Sequence, residues 1–297
     1  MAIASRICFL IGTSFMRTTF LALFAILFLQ NATAADTLPI WPGTAPGSEN
    51  WTWSEESSTQ ADGTIGTVRN VVKPSLVLYR PDVRLANGTA ILVFPGGGFQ
   101  NLAYGKEGDG IAKWLNSLGI TAIVVKYRVA HSQSGETLDN DTKNERTKAT
   151  IPLAVQDAKQ AMRVVRQHAK EWDLKPDKIG VMGFSAGGYL AIALGASSEA
   201  ETKPDFVAGI YPGSPGTMAP THNSPPLFIA VAADDFLPPT MRALDAWTKV
   251  EASVELHLYA KGGHGFALRK EGLPVNSWTD RFIDWMKWLK IPVSPAP

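Results

Sequence analysis

The chain has 297 residues and a nearly balanced charge, with 28 lysines and arginines against 27 aspartates and glutamates. This length suits one large domain or two small ones, and the apolar fraction of 45% can supply a substantial core. A net charge of +1 excludes the strong positive field that non-specific nucleic-acid binding requires. The single Cys excludes a disulfide framework and any metal site built from several cysteines.

An apolar run near the N-terminus has the flanks of an export signal. Phe20–Leu29 contains no polar residue, follows Arg17 and precedes Ala32-Thr33-Ala34. A basic flank, a short apolar stretch and an A-x-A site predict a secretory signal peptide over residues 1–34. The run is also shorter than the roughly 20 residues of a membrane-spanning helix. We therefore expect a secreted or periplasmic protein, and the signal has ordinary proportions if translation starts at Met16 rather than Met1.

Cleavage after residue 34 would change the composition of the working protein. Removing the first 34 of the 297 residues leaves 263 and takes away Arg6 and Arg17, so that 26 basic residues face 27 acidic ones. Cys8 is removed as well, and it precedes the apolar run rather than following it. A lipid-bearing cysteine would follow such a run, so no stable membrane anchor is predicted.

The remaining sequence alternates between two apolar patterns. Short runs rich in Val and Ile predict strands, and most are continuously apolar, as in a parallel sheet that is covered on both faces. They are Ala90–Phe94, Thr121–Tyr127, Lys178–Gly183, Phe206–Tyr211, Leu227–Ala233 and Val254–Tyr259. Apolar stripes with helical spacing run from Ala154 to Trp172 and from Phe282 to Leu289. The alternation predicts a single α/β domain with a mostly parallel central sheet and helices on both faces.

Three parts of the chain lie outside this alternation. Val68–Val72 and Leu76–Arg80 predict antiparallel strands at the edge of the sheet. Residues 35–66 are punctuated by Pro and Gly and predict an extended N-terminal segment. Val129–Thr150 is polar and predicts a long loop, either a solvated excursion or the rim of a functional site.

The sequence Gly183-Phe184-Ser185-Ala186-Gly187 stands where a predicted strand meets a predicted helix. A serine on such a sharp strand-to-helix turn is the arrangement of a nucleophile elbow, in which small neighbours make room for a strained backbone. The spacing alone is a weak signal, so the assignment of Ser185 as a nucleophile depends on finding a base and an acid downstream.

The candidate base is His264, which directly follows a predicted strand and has Gly on both sides. The other histidines stand within a strand, on a helix or in polar loops: His257, His168, His131 and His222. The acid should follow the run Leu227–Ala233, where Asp234 and Asp235 both stand. Asp234 is favoured because it has the D-x-x-L-P spacing to Pro238, and Asp235 is kept as the alternative.

A glycine run, Gly96-Gly97-Gly98, follows Pro95 at the end of the run Ala90–Phe94. Three glycines cost backbone entropy, and close approach of backbone amides to a tetrahedral oxyanion would account for them. The amides of Gly97, Gly98 and Ala186 are the predicted donors. A phosphate-binding loop is disfavoured because neither a following Lys-Ser/Thr nor a G-x-G-x-x-G spacing is present.

The motifs FPGGGF, GFSAGG, AADDFLP and GGHGF stand between residues 94 and 266, within a matching region of roughly residues 70–290. In this combination the chain resembles the serine esterases of the α/β-hydrolase fold, in particular the acetylxylan-esterase-like carbohydrate esterases related to the hormone-sensitive-lipase branch. One departure is Pro95, which stands where the lipase-like relatives have the His of H-G-G-G.

The resemblance implies a catalytic domain over residues 67–297, without a large cap. It implies Ser185 as nucleophile, His264 as base and Asp234 as acid, with Gly97, Gly98 and Ala186 as oxyanion donors. The reaction would be a two-step acyl transfer that needs no cofactor and no metal.

The substrate is expected to be a small-molecule or oligosaccharide ester, and no nucleic acid is expected as a partner. Acetylated xylan or xylo-oligosaccharide is the leading prediction, and a broad small-ester carboxylesterase is the alternative. Trp41, Trp51 and Trp53 could stack on sugar rings or cover the core. A peptidase, a glycosidase and a non-catalytic binding module are less favoured, since the sequence has neither a large extra N-terminal domain nor a carboxylate-pair signature and keeps every member of the triad.

Overall fold

A computed structural model of the protein describes residues 36–294 except 134–135, 137–138, 214–215 and 217. In it, the apolar runs predicted as strands lie in the central sheet. The predicted signal peptide lies outside the described residues. Within them, ten strands are present: β1 (Asp36–Pro39), β2 (Glu56–Thr59), β3 (Ile65–Arg69), β4 (Ser75–Tyr79), β5 (Ala90–Phe94), β6 (Thr121–Lys126), β7 (Ile179–Phe184), β8 (Val207–Ile210), β9 (Leu227–Ala232) and β10 (Val254–Tyr259).

Eight of these described strands form one sheet in the order β1-β4-β6-β5-β7-β8-β9-β10. All neighbours from β6 to β10 pair in parallel, whereas β4 runs antiparallel to β6 and β1 runs antiparallel to β4. The prediction of a mostly parallel α/β sheet is confirmed, and so is an antiparallel strand over Leu76–Arg80. The edge position itself belongs to β1, which lies in the segment predicted to be merely extended.

The prediction that Val68–Val72 adds a strand to this sheet is wrong. β3 pairs with β2 in a separate two-stranded sheet, because β1 already occupies the free edge of β4. Val68 instead exchanges two backbone hydrogen bonds with Leu102, of 3.0 and 2.7 Å. The small sheet is thereby attached to the turn that follows the glycine run.

The helices in the described part of the chain stand between the strands, as the alternation predicts. They are α1 (Gly110–Ser117), α2 (Asn140–His168), α3 (Ala186–Gly195), α4 (Pro238–Lys249) and α5 (Trp278–Trp288), with a π-helical turn at Tyr104–Asp109 and 3₁₀ turns at Ala200–Thr202 and Pro274–Ser277. None of the helices among these residues is both long and apolar enough to cross a bilayer.

Helix α2 begins inside the predicted polar loop 129–150, so the loop prediction is wrong from Asn140 onward. The side chain of Asp139 accepts a 2.8 Å hydrogen bond from the backbone amide of Thr142 and caps the helix. The first turns of α2 are exposed and carry no apolar stripe, so hydrophobic periodicity could not reveal them.

The carboxyl ends of the parallel strands bring the sequence motifs together. β5 and β7 are adjacent and completely buried, and Phe94 pairs with Gly183 at their carboxyl ends. The glycine run and the elbow therefore leave the sheet side by side. The loops after β9 and β10, which carry Asp234, Asp235 and His264, end at the same edge of the sheet.

Candidate active site

Ser185 occupies a strained turn between β7 and α3. Its φ of 52° lies in the left-handed region that side chains other than Gly rarely adopt. The turn is tight enough that a Cβ on Gly183 would lie 2.0 Å from the carbonyl oxygen of Gly187. The backbone amide of Ser185 donates to the carbonyl of Ile210 at the end of β8, which holds the turn in place. The predicted elbow is present.

His264 is the histidine that the fold places against Ser185. Its Nε2 lies 2.8 Å from the Oγ of Ser185, and its ring packs edge-on against Tyr211 with 5.0 Å between centroids. The loop bends on Gly263 (φ 59°) and Gly265 (φ 74°), which extends the imidazole toward the elbow. The side chain of His264 is 51% exposed, so the reacting pair is open to solvent.

Asp235, not Asp234, is the carboxylate against His264. The Oδ2 of Asp235 lies 2.8 Å from Nδ1 of His264, and the Asp235 side chain is only 8% exposed. A carboxylate at Nδ1 accepts a hydrogen bond from the Nδ1–H, which keeps the proton on Nδ1 and leaves Nε2 free to accept the proton of Ser185. The preference for Asp234 based on the D-x-x-L-P spacing is therefore wrong, since that spacing cannot distinguish two adjacent side chains that leave a loop in different directions.

Asp234 contacts the backbone of the histidine loop instead. Its Oδ1 accepts hydrogen bonds from the amides of Gly262 at 3.1 Å and Gly263 at 2.9 Å. These bonds, the one from Gly263 foremost, lower the pKa of Asp234 below its ordinary value. Asp234 thus holds the loop that carries His264, while Asp235 orients the imidazole.

The three predicted oxyanion amides belong to peptides whose carbonyl ends are hydrogen-bonded within the protein. The carbonyl of Gly96 accepts from Ala103 at 2.9 Å, and that of Gly97 accepts from the amides of Gln100 and Asn101. The carbonyl of Ser185 accepts from Gly213 at 2.7 Å. In a trans peptide the N–H points away from the carbonyl, so the Gly97, Gly98 and Ala186 amides point away from these partners.

The glycine run passes next to the elbow, and Ala186 belongs to the elbow itself. A Cβ on Gly96 would come within 2.8 Å of the Cβ of Ser185, and the space beside Gly98 is open to 4 Å. Ala186 opens α3, so its amide has no partner within the helix. These amides are therefore the candidates to donate hydrogen bonds to a negatively charged oxygen that develops beside Ser185.

Glu107 is a site residue that sequence reasoning missed. Its side chain is buried beneath the glycine run, where Oε2 accepts from the Gly96 amide at 2.7 Å and Oε1 accepts from the Tyr211 hydroxyl at 3.0 Å. In the sequence it stands in the polar run Lys106-Glu107-Gly108-Asp109, which carries no signal of burial.

A cavity of about 410 Å³ adjoins the glycine run. Gln100 and Asn101, whose amides bond Gly97, line one side of it, and His131 and Arg146 line another. Trp53 stacks on His131 with 4.2 Å between centroids. Trp51 in turn stacks on Trp53, with 4.6 Å between ring centroids.

The two arginines that line this cavity are each paired with a carboxylate, and Lys143 lines it as well. Arg146 pairs with Glu136 at 3.0 Å, and Arg69, also in the lining, pairs with Glu56 at 2.8 Å. The amides of Gln100 and Asn101 and the imidazole of His131 offer both hydrogen-bond donors and acceptors to the cavity. Among the described residues, no group of three or more His, Cys, Asp or Glu has the arrangement of a metal site.

The chain is similar to several known proteins in sequence and in fold. Residues 76–211 match the sequence model of the family described as BD-FAE. An acetylxylan esterase from Xylanibacter ruminicola is 31% identical over 260 residues, which cover 76% of this chain and 49% of that relative. The chain thus spans about half the length of the relative.

Two solved structures have a similar fold. The acetyl ester-xyloside bifunctional hydrolase from Caldicellulosiruptor lactoaceticus has a TM-score of 0.64 at 25% identity, over 86% of this chain and 97% of that one. MGS-M1, an α/β hydrolase enzyme from a deep-sea metagenome library of the Medee basin, has a TM-score of 0.58 at 24% identity, over 79% and 98% of the two chains. The resemblance inferred from the motifs is confirmed.

Proposed function

We propose that this chain, which has the α/β-hydrolase fold, is a secreted serine esterase that removes acetyl groups from xylan or xylo-oligosaccharides. The observation that carries the proposal is the chain of contacts from Ser185 through His264 to Asp235, with 2.8 Å at each step. The acetylxylan esterase of Xylanibacter ruminicola and the acetyl ester-xyloside hydrolase of Caldicellulosiruptor lactoaceticus support the substrate class.

The reaction would proceed through an acyl-enzyme. Nε2 of His264 takes the proton of Ser185 as Oγ attacks the ester carbonyl, and Asp235 stabilises the imidazolium. The amides of Gly97, Gly98 and Ala186 donate to the oxyanion, and His264 returns the proton to the departing alcohol. Water then attacks the acyl-enzyme by the same route and releases the acid.

The cavity beside the glycine run supports a sugar as the alcohol part of the ester. Two of its three cations are paired with carboxylates, and its amide, imidazole and guanidinium groups suit the hydroxyls of a sugar. The 51% exposure of His264 leaves room for the remainder of an oligosaccharide outside the cavity.

The test is acetate release from acetylated xylo-oligosaccharides and from p-nitrophenyl acetate by the wild type and Ser185→Ala. Both activities should vanish in the variant, and a fluorophosphonate probe should label the wild type alone. Residual hydrolysis by folded Ser185→Ala would overturn the serine mechanism. Cleavage of p-nitrophenyl acetate without the sugar esters would indicate a small-ester carboxylesterase, and release of reducing sugar without acetate would indicate a glycosidase.

A further inference from the structure

Glu107 is a buried carboxylate for which the acyl-transfer mechanism has no direct use. Glu107 is only 4% exposed. Its carboxylate accepts hydrogen bonds from the Gly96 amide and the Tyr211 hydroxyl, and neither of these groups is a cation. Burying a carboxylate costs free energy that only strong hydrogen bonds can offset. A group retained under those conditions beside the elbow calls for a functional explanation.

The Pro95–Gly96 peptide is held at both of its ends. Glu107 accepts from its N–H at 2.7 Å, and the hydroxyl of Tyr127 donates to its carbonyl at 2.5 Å. Both side chains are buried. A planar peptide that is bonded at each end cannot rotate without breaking both hydrogen bonds.

This peptide directly precedes the one that carries the Gly97 amide, the first of the two oxyanion amides of the glycine run. Gly97 and Gly98 adopt φ values of 130° and 62°, and glycine backbones have no intrinsic preference that would keep them there. Their orientation has to be imposed by bonds to the neighbouring peptides. The Gly97 carbonyl accepts from the amides of Gln100 and Asn101, and the Gly96 carbonyl accepts from that of Ala103. On the N-terminal side of these bonds, Glu107 and Tyr127 hold the Pro95–Gly96 peptide at both ends.

Tyr211 connects the same carboxylate to the base. Its hydroxyl donates to Glu107 and its ring packs against His264, so one buried group links the oxyanion loop to the histidine. Burial and the nearby charge of Glu107 raise the pKa of Tyr211, and the phenol therefore remains a donor.

We propose that Glu107 is a positioning residue that holds the Pro95–Gly96 peptide, and through it the Gly97 and Gly98 amides, where the oxyanion develops. The inference rests on the proposed esterase function. It predicts that losing Glu107 impairs transition-state binding while leaving the substrate affinity nearly unchanged.

The test compares Glu107→Ala and Glu107→Gln with the wild type. For p-nitrophenyl acetate, Glu107→Ala should lose about 10²-fold in kcat per titrated active site, the loss expected from displacing a catalytic group by about 1 Å. KM should change by less than about threefold, because the substrate itself does not contact Glu107. Glu107→Gln keeps one acceptor for the Gly96 amide and should recover most of the lost rate.

The inhibition constant (Ki) of a trifluoromethyl ketone distinguishes a loss of positioning from general damage to the fold. The ketone adds to Ser185 as a tetrahedral oxyanion, so its Ki should rise in Glu107→Ala by the same factor as kcat/KM falls. Tyr127→Phe, which releases the other end of the peptide, should weaken the inhibitor as well. Tyr104→Phe is the matched control, because Tyr104 belongs to the same π-helical turn but bonds Tyr79 rather than the loop.

An unchanged Ki and an unchanged kcat per active site in Glu107→Ala would overturn the inference. If Glu107→Ala does not fold, Tyr127→Phe and Glu107→Gln are measured in its place. An unaltered Ki in both variants would likewise overturn the inference. A wild-type protein that neither hydrolyses esters nor reacts with a fluorophosphonate would instead overturn the proposed function, and this inference with it. An active wild type with an unaffected Glu107→Ala removes this inference alone.

Discussion

At the scale of single residues, two adjacent aspartates have different roles because they leave the loop after β9 in different directions. Asp235 contacts the imidazole of His264, and Asp234 contacts the backbone amides of Gly262 and Gly263. Both aspartates act on the same histidine, Asp235 on its ring and Asp234 on its loop. Only the first bears on the protonation of the ring nitrogens.

The pair offers a matched test of the corrected assignment. Asp235→Asn should lower kcat by roughly 10³–10⁴-fold, because an amide at Nδ1 no longer favours the tautomer that can accept the serine proton. Asp234→Asn should lower kcat by much less, since its carbonyl oxygen can still accept from the loop amides. Steady-state kinetics with p-nitrophenyl acetate measure both, and a larger loss in Asp234→Asn would contradict the assignment.

At the scale of elements, the cavity lies between the turn that follows β5 and the start of α2. The turn supplies Gln100 and Asn101, and α2 supplies Lys143 and Arg146. This placement follows from α2 beginning at Asn140, within the stretch whose polarity predicted a loop. A cap at Asp139, rather than an apolar stripe, starts the helix.

Gln100→Ala tests whether the cavity binds the sugar part of the ester. Losing one hydrogen bond of about 1 kcal/mol should raise KM for acetylated xylo-oligosaccharides about fivefold. The change with p-nitrophenyl acetate should be much smaller, because that substrate carries no sugar. Gln167→Ala, on an exposed position of α2, is the control of the same residue type. Equal effects of Gln100→Ala on both substrates would argue against a sugar in the cavity.

At the scale of the whole molecule, a buried ion pair joins the N-terminal segment, the sheet and α2. Arg128 follows β6, is fully buried and pairs with Asp157 of α2 at 2.8 Å. The guanidinium also donates to the carbonyl of Pro46 at 2.6 Å, and Trp41 donates to Asp157 at 2.8 Å. Trp41 is thus a structural residue, whereas Trp53 stacks on the wall of the cavity.

Asp157→Ala should destabilise the protein by about 3–5 kcal/mol, because the Arg128 charge would remain buried without its partner. Urea unfolding followed by circular dichroism measures the change. Asp245→Ala removes a partner from the exposed pair with Lys249 and should alter the free energy of unfolding little. Similar losses in the two variants would show that burial does not govern the strength of the Arg128 pair.

Local sequence was sufficient for the parallel strands, the elbow at Ser185, the histidine and the glycine loop. Each of these has a short-range cause: continuous apolar runs, small residues around a strained turn, or glycines at positive φ. These short-range causes act regardless of where the rest of the chain is positioned. The motifs also pointed to the carboxyl edge of the sheet, where parallel strands must bring them together.

The choice of Asp235 over Asp234, the edge position of β1 and the burial of Glu107 depended on contacts between residues far apart in the chain. Glu107 bonds Tyr211, which is 104 positions away, and Asp235 bonds His264 across 29 positions. Sequence patterns report which residues are apolar and how they are spaced. The hydrogen-bond partner of a polar side chain is set by the packing of whole elements, and for that reason the partners of Asp234, Asp235 and Glu107 emerged only from the folded chain.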